Sequence, residues 1–264
     1  MILIDDADDA RLALFRRNER GLANRPQRRT GDGLFMAEGD LVVERALDAG
    51  CVPVAALVDA SRPPAVAIRL AAQIEVFAGG DQVRAMVTQL GVPLAVVAVF
   101  HRPPRATVEA LAHAATRLVV IEAVDNPANV GSIARNAAAL GWHGLVVDRT
   151  SADPLTRRSL RVSMGQALVL PHARVEDLPA ALGSLREHGF VVCALTPAVD
   201  AMPLHEVRPA PRIAIVIGSE RAGLSADTLA AANLCTRIPM ASGVDSLNAA
   251  AASAIACYAL RPPT

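Results

Sequence analysis

The chain has 264 residues, 52% hydrophobic but only 3% aromatic, so Ala, Val and Leu must form most of the core. Its 26 basic residues, all arginine, balance 26 acidic residues, which argues against a uniformly basic nucleic-acid-binding protein. Four cysteines without a C-x-x-C pair and six histidines without metal-ligand spacing argue against a disulfide scaffold and against a metal site.

The N-terminal region shows no targeting or membrane segment. Residues 1–6 are acidic and lack the basic and apolar parts of a signal peptide. The apolar run at 92–100 contains Pro93 and is too short to span a bilayer. Together with unpaired cysteines, which suit a reducing compartment, these features predict a cytoplasmic protein without membrane contact.

Residues 11–29 form a basic cluster, with seven arginines against one acid, Glu19. Such a run is commonly a solvated helix face, but guanidinium groups also make paired contacts to phosphate. Because the whole chain has no net charge, this local concentration favours contact with RNA. The seven are Arg11, Arg16, Arg17, Arg20, Arg25, Arg28 and Arg29.

The first hundred residues alternate predicted helices and strands, as in a small α/β unit. Glu38 and Gly39 precede this pattern and are interpreted as a turn rather than a catalytic site. Residues 101–105 contain two prolines and two arginines, so we place a domain boundary near 105. The predicted helices are 40–49, 64–72 and 82–89, and the predicted strands are 54–58, 74–77 and 94–100.

A first motif follows a short helix at 107–114 and a predicted strand at 118–124, which is apolar except for Glu122 and is of the type buried in a parallel sheet. Residues 125–137 read DNPANVGSIARNA, and they predict a turn that is followed by a helix. Asn129 lies near its N-cap and Arg135 one to two turns further on. The amides of such a helix start can hold an anion.

A second motif, IGSERAGL at 217–224, follows a predicted strand at 213–217. Further strands are predicted at 145–147 and 190–195, and ligands bind at strand ends in open α/β sheets. No strand is followed by G-x-G-x-x-G or a Walker loop, which argues against a nicotinamide or nucleoside-triphosphate enzyme. A second basic cluster, interpreted either as solvated side chains or as a route for RNA backbone, consists of Arg149, Arg157, Arg158 and Arg161.

A third motif, IPMASGVDSLN at 238–248, joins a short segment at 235–238 to a helix at 249–260. Pro239 cannot continue a strand ladder, and Asp245 or Ser246 is predicted to cap the helix. The helix is apolar nearly all round, which predicts burial in a core or against another subunit.

In this order and spacing, the three motifs resemble those of the SpoU/TrmH-like branch of the SPOUT RNA methyltransferases. The resemblance covers about the last 150 residues. It implies a catalytic domain at 106–264 with a parallel sheet and a deep trefoil knot. It also implies that residues 1–105 are a small α/β RNA substrate-binding domain. The overall expectation is therefore an α/β protein of two domains.

The resemblance also implies roles for individual residues. Arg135 would assist loss of the proton from a ribose 2′-hydroxyl; since arginine is nearly always protonated, we favour stabilisation of the developing alkoxide. The other expected catalytic residues are Asn129, Glu220, Ser246 and Asn248. S-adenosylmethionine (SAM) is the expected cofactor, bound by Leu195, Thr196, Ile217, Gly218, Ile238, Met240 and Leu247. The expected RNA contacts are Arg16, Arg17, Arg28, Arg29, Arg157 and Arg158.

The expected activity is methyl transfer from SAM to a ribose 2′-hydroxyl, with large-subunit ribosomal RNA favoured as substrate. The family also works as a homodimer through the knot and the C-terminal helix. A tRNA 2′-O-methyltransferase and a catalytically inactive SPOUT-like RNA-binding protein remain alternatives. A metabolic α/β enzyme with another cofactor would require a glycine-rich phosphate loop, which the sequence lacks.

Overall fold

The computed structural model describes residues 1–23, 33–89, 93–208 and 210–261. The strands are β1 Ile2–Ile4, β2 Leu34–Glu38, β3 Pro53–Asp59, β4 Val76–Gly79, β5 Val96–His101, β6 Arg117–Ile121, β7 Gly144–Asp148, β8 His172–Val175, β9 Val191–Leu195, β10 Met202–Pro203, β11 Ile213–Ile217 and β12 Leu234–Arg237. The α-helices are α1 Glu19–Leu22, α2 Asp40–Asp48, α3 Val66–Ala71, α4 Asp81–Thr88, α5 Val108–Ala114, α6 Pro127–Ala139, α7 Arg157–Val162, α8 Gln166–Val169, α9 Leu178–Glu187, α10 Ala226–Ala231 and α11 Ala249–Ala259.

The chain divides into two compact units. The first comprises Met1–Pro104 and Leu155–Val169, and the second comprises Arg105–Pro154 and Leu170–Thr264. The predicted boundary near 105 lies at this division, but Leu155–Val169 was expected in the catalytic domain and packs with the first unit instead.

The first unit is built on a five-stranded sheet of order β1-β4-β3-β5-β2. β5 runs antiparallel to both of its neighbours, whereas β3 and β1 run parallel to β4. Apolar side chains such as Leu57, Val97 and Val99 fill the core on one face of this sheet. The short edge strand β1 was not predicted, because three apolar residues in an acidic stretch give no periodic signal.

A buried carboxylate explains why Leu155–Val169 belongs to the first unit. Glu38, at the end of β2, is only 3% exposed and forms ion pairs with Arg157 and, at 3.3 Å, with Arg161. Arg157 also donates to the carbonyl of Thr88 at 2.9 Å. A buried charge is retained only when it is paired, so α7 is held against β2. The interpretation of Glu38 as a turn residue is therefore wrong, whereas Gly39 does turn the chain, with φ +85°.

The second unit contains a seven-stranded sheet of order β10-β12-β9-β11-β6-β7-β8, in which every pairing is parallel. The predicted α/β fold with a parallel sheet is confirmed. β6, β7 and β11 are buried along their whole lengths, as the apolar run from Leu118 to Ile121 predicted for β6. β6 ends at Ile121 rather than at 124, since α6 begins at Pro127 with Asn126 as its N-cap.

The C-terminal helix α11 packs on α6 through one face. Asn248 is its N-cap and accepts from the amides of Ala250 and Ala251, so the predicted caps Asp245 and Ser246 are wrong. The opposite face is open in the single chain, with Ile255 42% and Tyr258 59% exposed. None of the helices in the described ranges is long and apolar enough to cross a membrane.

Candidate active site

A cavity of about 520 Å³ opens where β9, β11 and β12 end at the same edge of the parallel sheet. Its walls come from the loop after β9, from the second motif and from the third motif. All seven residues that the sequence analysis assigned to the cofactor line it, and their role in binding stays a prediction. They are Leu195, Thr196, Ile217, Gly218, Ile238, Met240 and Leu247.

The second motif forms a tight turn that only glycine allows at Gly218. A Cβ at that position would lie 2.4 Å from the carbonyl carbon of Gly223, which itself has φ +69°. The amide of Gly223 donates to the carbonyl of Ser219 at 3.1 Å and closes the turn. This turn carries Glu220 on its exposed side, between the end of β11 and the start of α11.

A three-residue cluster, Asn129, Glu220 and Asn248, joins all three motifs. Asn129 Nδ2 donates to Glu220 Oε1 at 2.8 Å, and Asn248 Nδ2 donates to the same carboxylate oxygen. Asn248 Nδ2 also donates to Asn129 Oδ1 at 3.2 Å. The motif residues that are 28 to 119 positions apart in sequence thus form one hydrogen-bond network.

Helix capping fixes the orientation of the Asn248 amide. Its Oδ1 accepts from the amides of Ala250 and Ala251 at 2.9 and 3.2 Å, so only its NH₂ group remains to face Glu220. Asn129 is the third residue of α6 and is 9% exposed. Both amides are therefore set by helix starts rather than by mobile loops.

A buried aspartate shapes the loop that enters α6. Asp148, at the end of β7, accepts from the amides of Ala123 and Ser151 at 3.1 and 2.9 Å. Burial raises the pKa of Asp148, but hydrogen bonds from Ser151, Thr150 and Ala123 outweigh this and leave the pKa below its usual value. The ionised carboxylate thereby supports Ala123, whose φ is +54°.

A second, polar cavity of about 380 Å³ adjoins the cluster. Ser219, Glu220 and Arg221 line both cavities. Arg221 was not predicted as a site residue, although a cation next to the motif glutamate was a signal for it. The other residues of the second cavity are Ala123, Val124, Asp125, Asn126 and Asn129.

The remaining predicted catalytic residues are placed differently. Ser246 is exposed and lines the first cavity. Arg135 lies on the exposed side of α6 and is not among the residues that line either cavity. It follows Asn129 by six residues, about 9 Å along a helix axis. A single chain therefore assembles Asn129, Glu220, Ser246 and Asn248 without Arg135.

The predicted RNA-contacting arginines divide into two groups. Arg16 donates to the carbonyls of Ala7 and Asp9, and Arg157 pairs with Glu38, so both guanidinium groups have partners within the protein. The exposed members of the set are Arg17 and Arg158. Arg28 and Arg29 lie outside the described residues, as does Arg25. Within the described ranges, no group of three or more His, Cys, Asp or Glu could hold a metal ion.

Comparisons with known proteins identify the family of this chain. Residues 116–258 match the SpoU rRNA Methylase family. An uncharacterized tRNA/rRNA methyltransferase of Mycobacterium tuberculosis is 39% identical over 257 residues, covering 96% of this chain and 89% of the relative. The 23S rRNA (guanosine(2553)-2′-O)-methyltransferase RlmP of Bacillus subtilis is 31% identical over 234 residues, covering 88% and 90%.

Among solved structures, the SpoU methyltransferase AviRb of Streptomyces viridochromogenes, in complex with the cofactor AdoMet, superposes with a TM-score of 0.77. It is 25% identical, and the match covers 94% of each chain. The family match spans the three motifs and the sheet that brings them together. The chain therefore belongs to the SpoU rRNA Methylase family, a branch of the SPOUT RNA methyltransferases, as its three motifs predicted.

Proposed function

We propose that this RNA methyltransferase transfers a methyl group from SAM to a ribose 2′-hydroxyl of ribosomal RNA. The observation that carries the proposal is the cluster of Asn129, Glu220 and Asn248 at the border of two cavities. One cavity is suited to a cofactor and the other to an acceptor nucleotide. RlmP, a relative over most of both chains, supports ribosomal RNA and the 2′-oxygen.

The first cavity suits SAM because it is lined both by apolar side chains and by residues at the ends of parallel strands. Leu195, Ile217, Ile238 and Leu247 supply apolar surface for an adenine ring, and the turn at Gly218 leaves backbone groups for polar contacts. SAM, when bound, supplies the activated methyl group. The AdoMet complex of AviRb supports this assignment.

The second cavity would hold the acceptor ribose. Glu220 accepts hydrogen bonds from two side-chain amides and, at 3.4 Å, from the backbone amide of Ala249, and these bonds fix the carboxylate where the two cavities meet. A ribose hydroxyl is a very weak acid, so a guanidinium beside the developing alkoxide lowers the barrier to transfer. Arg135 is proposed for this role from the family resemblance, and Arg221 is the cation that lines both cavities of this chain.

A homodimer through α11 is part of the proposal. The open face of α11, with Ile255 and Tyr258 exposed, gives an apolar surface for a second copy. A dimer would complete each site with residues of the other chain, and Arg135, exposed on α6, is the candidate. The deep trefoil knot remains part of this proposal on the strength of the family resemblance.

The first unit is proposed to bind the RNA substrate. Arg17 and Arg158 are its candidate phosphate contacts, because both are exposed. Arg28 and Arg29 remain candidates from the sequence. A cytoplasmic location, where ribosomal RNA is modified and four unpaired cysteines stay reduced, completes the proposal.

The test is methyl transfer from labelled SAM to unmodified ribosomal RNA and to tRNA, comparing wild type with Glu220→Ala, Arg135→Ala and Arg221→Ala. We expect transfer to ribosomal RNA and a loss of about 100-fold or more in the Glu220 variant. If methyl transfer is lost in Arg135→Ala but not in Arg221→Ala, Arg135 supplies the guanidinium that stabilises the alkoxide. The opposite result assigns this role to Arg221. Methyl transfer to tRNA alone would contradict ribosomal RNA as the substrate. SAM binding without methyl transfer to either RNA would contradict the proposed activity.

A further inference from the structure

Helix α11 brings mainly small side chains to its packing against other elements. Seven of the eleven residues of α11 are alanine, and its buried residues are Ala249, Ser253, Ala256 and Cys257. Helices fix their position along one another by fitting ridges of side chains into grooves. Alanine makes shallow ridges, so packing alone specifies the axial position of α11 only weakly.

At the start of α11, hydrogen bonds fix the axial position that packing alone specifies only weakly. Asn136 Nδ2 donates to the carbonyl of Ala250 and to Ser253 Oγ, each at 2.9 Å. Ser253 Oγ in turn donates to the Ala250 carbonyl at 2.7 Å, and Ser253 is fully buried. A buried polar group that loses its partner costs about 1–3 kcal/mol, so this layer resists displacement.

The same face of α6 carries both this layer and the cluster at the site. Asn136 follows Asn129 by seven residues, which is two turns of helix and the same side. Asn129 meets Asn248 at the N-cap of α11, and Asn136 meets Ala250 and Ser253 one turn later. Two asparagines on α6 thus contact α11 at successive levels.

We infer that Asn136 is a positioning residue, which fixes the first turn of α11 so that Asn248 meets Glu220. The inference rests on the proposed function for its catalytic consequence. A slip of one residue moves Asn248 by about 1.5 Å along the axis and turns it by about 100°. A misplacement of about 1 Å near the reacting atoms can cost about 100-fold in rate.

The far end of α11 offers a matched control. Trp142 Nε1 donates to the carbonyl of Cys257 at 3.0 Å, about one turn of helix beyond Ser253 of the Asn136 layer. Trp142→Phe removes one hydrogen bond to the same helix but leaves the bonds from Asn136 to the first turn of α11 in place. It therefore reports what a loss of helix anchoring does without displacing Asn248.

The experiment compares Asn136→Ala, Ser253→Ala and Trp142→Phe with wild type in melting temperature, SAM affinity, kcat and the KM for RNA. In Asn136→Ala we expect kcat to fall about 10- to 100-fold with the KM for RNA within about threefold. Trp142→Phe should lose a few degrees in melting temperature while kcat stays within about twofold. Ser253→Ala keeps the hydrogen bond from Asn136 to the Ala250 carbonyl, so its kcat should lie between those of the other two variants.

Hydrogen exchange gives a readout that needs no activity. The amides of residues 250–253 should exchange faster in Asn136→Ala than in Trp142→Phe. Equal exchange there, or a kcat for Asn136→Ala that matches Trp142→Phe, overturns the inference. If wild type transfers no methyl group, the proposed function fails, while the exchange comparison still decides whether Asn136 pins α11.

Discussion

Asn248 has two separable tasks, capping α11 and contacting the site, and substitutions can divide them. Serine at this position keeps an oxygen for the amides of Ala250 and Ala251, because serine caps helices about as well as asparagine. It lacks the NH₂ group that reaches Glu220 and Asn129. Alanine removes both functions.

The magnitudes follow from these contacts. Loss of an N-cap costs about 1 kcal/mol, and each partly exposed hydrogen bond contributes about 0.5–1.5 kcal/mol. Asn248→Ala should therefore be about 1 kcal/mol less stable than Asn248→Ser, which corresponds to roughly 2–4 °C in a protein of this size. Both variants should lose activity alike, by about 100-fold, because both remove the Asn248 amide group that, together with Asn129, fixes the Glu220 carboxylate.

The assay is denaturant unfolding together with methyl transfer for wild type and the two variants. Full activity in Asn248→Ser would refute the reasoning, because it would mean that the contacts of the Asn248 amide to Glu220 and Asn129 do not matter. Equal stability of the serine and alanine variants would refute the capping part alone.

Three further predictions concern parts of the molecule away from this residue. Glu38→Ala removes the buried carboxylate that pairs with Arg157 and Arg161, and it should lower the free energy of unfolding by about 3–5 kcal/mol in denaturant unfolding. The ion pair of Asp48 with Arg69 is exposed, so the control Asp48→Ala should lower it by about 1 kcal/mol or less; equal effects would contradict the buried pairing. Asp148→Asn should cost about 1–3 kcal/mol at pH 7. Because the pKa of folded Asp148 lies below that of the unfolded chain, this stabilisation is present above about pH 4 and is lost as pH falls through the folded pKa; a difference that persists unchanged at pH 2 would be inconsistent with it. In the folded protein an alkylating reagent should label exposed Cys235 first, since burial raises the pKa of Cys193 to about 11; peptide mapping that finds Cys193 labelled equally fast would contradict this burial.

The sequence predicted residues that line the first cavity better than it predicted the cap of the helix that borders it. The motif residues at the ends of β9, β11 and β12 meet because parallel strands end at one edge, a consequence of topology alone. The cap of α11 could not be chosen in the same way. Asp245, Ser246 and Asn248 are all good capping residues, and only the packing of α11 on α6 selects Asn248.

Contacts between residues that are distant in sequence account for the other differences between the predicted and the observed structure. Glu38 and Arg157 are 119 residues apart, so no local pattern shows that α7 packs with the first unit. The same carboxylate pairs with two arginines of the second basic cluster, Arg157 and Arg161. Local charge counts identify clusters of arginine, but which guanidinium groups remain for RNA depends on partners that are distant in sequence.

The position of the transferred methyl group tests the central claim most directly. RNA that wild-type protein has methylated with SAM is hydrolysed in alkali and the fragments are sized. A methyl on a ribose 2′-oxygen blocks attack on the adjacent phosphodiester, so the account predicts one linkage in ribosomal RNA that resists cleavage, and none with Glu220→Ala. Labelled RNA in which every linkage is cleaved would place the methyl on a base and contradict the account.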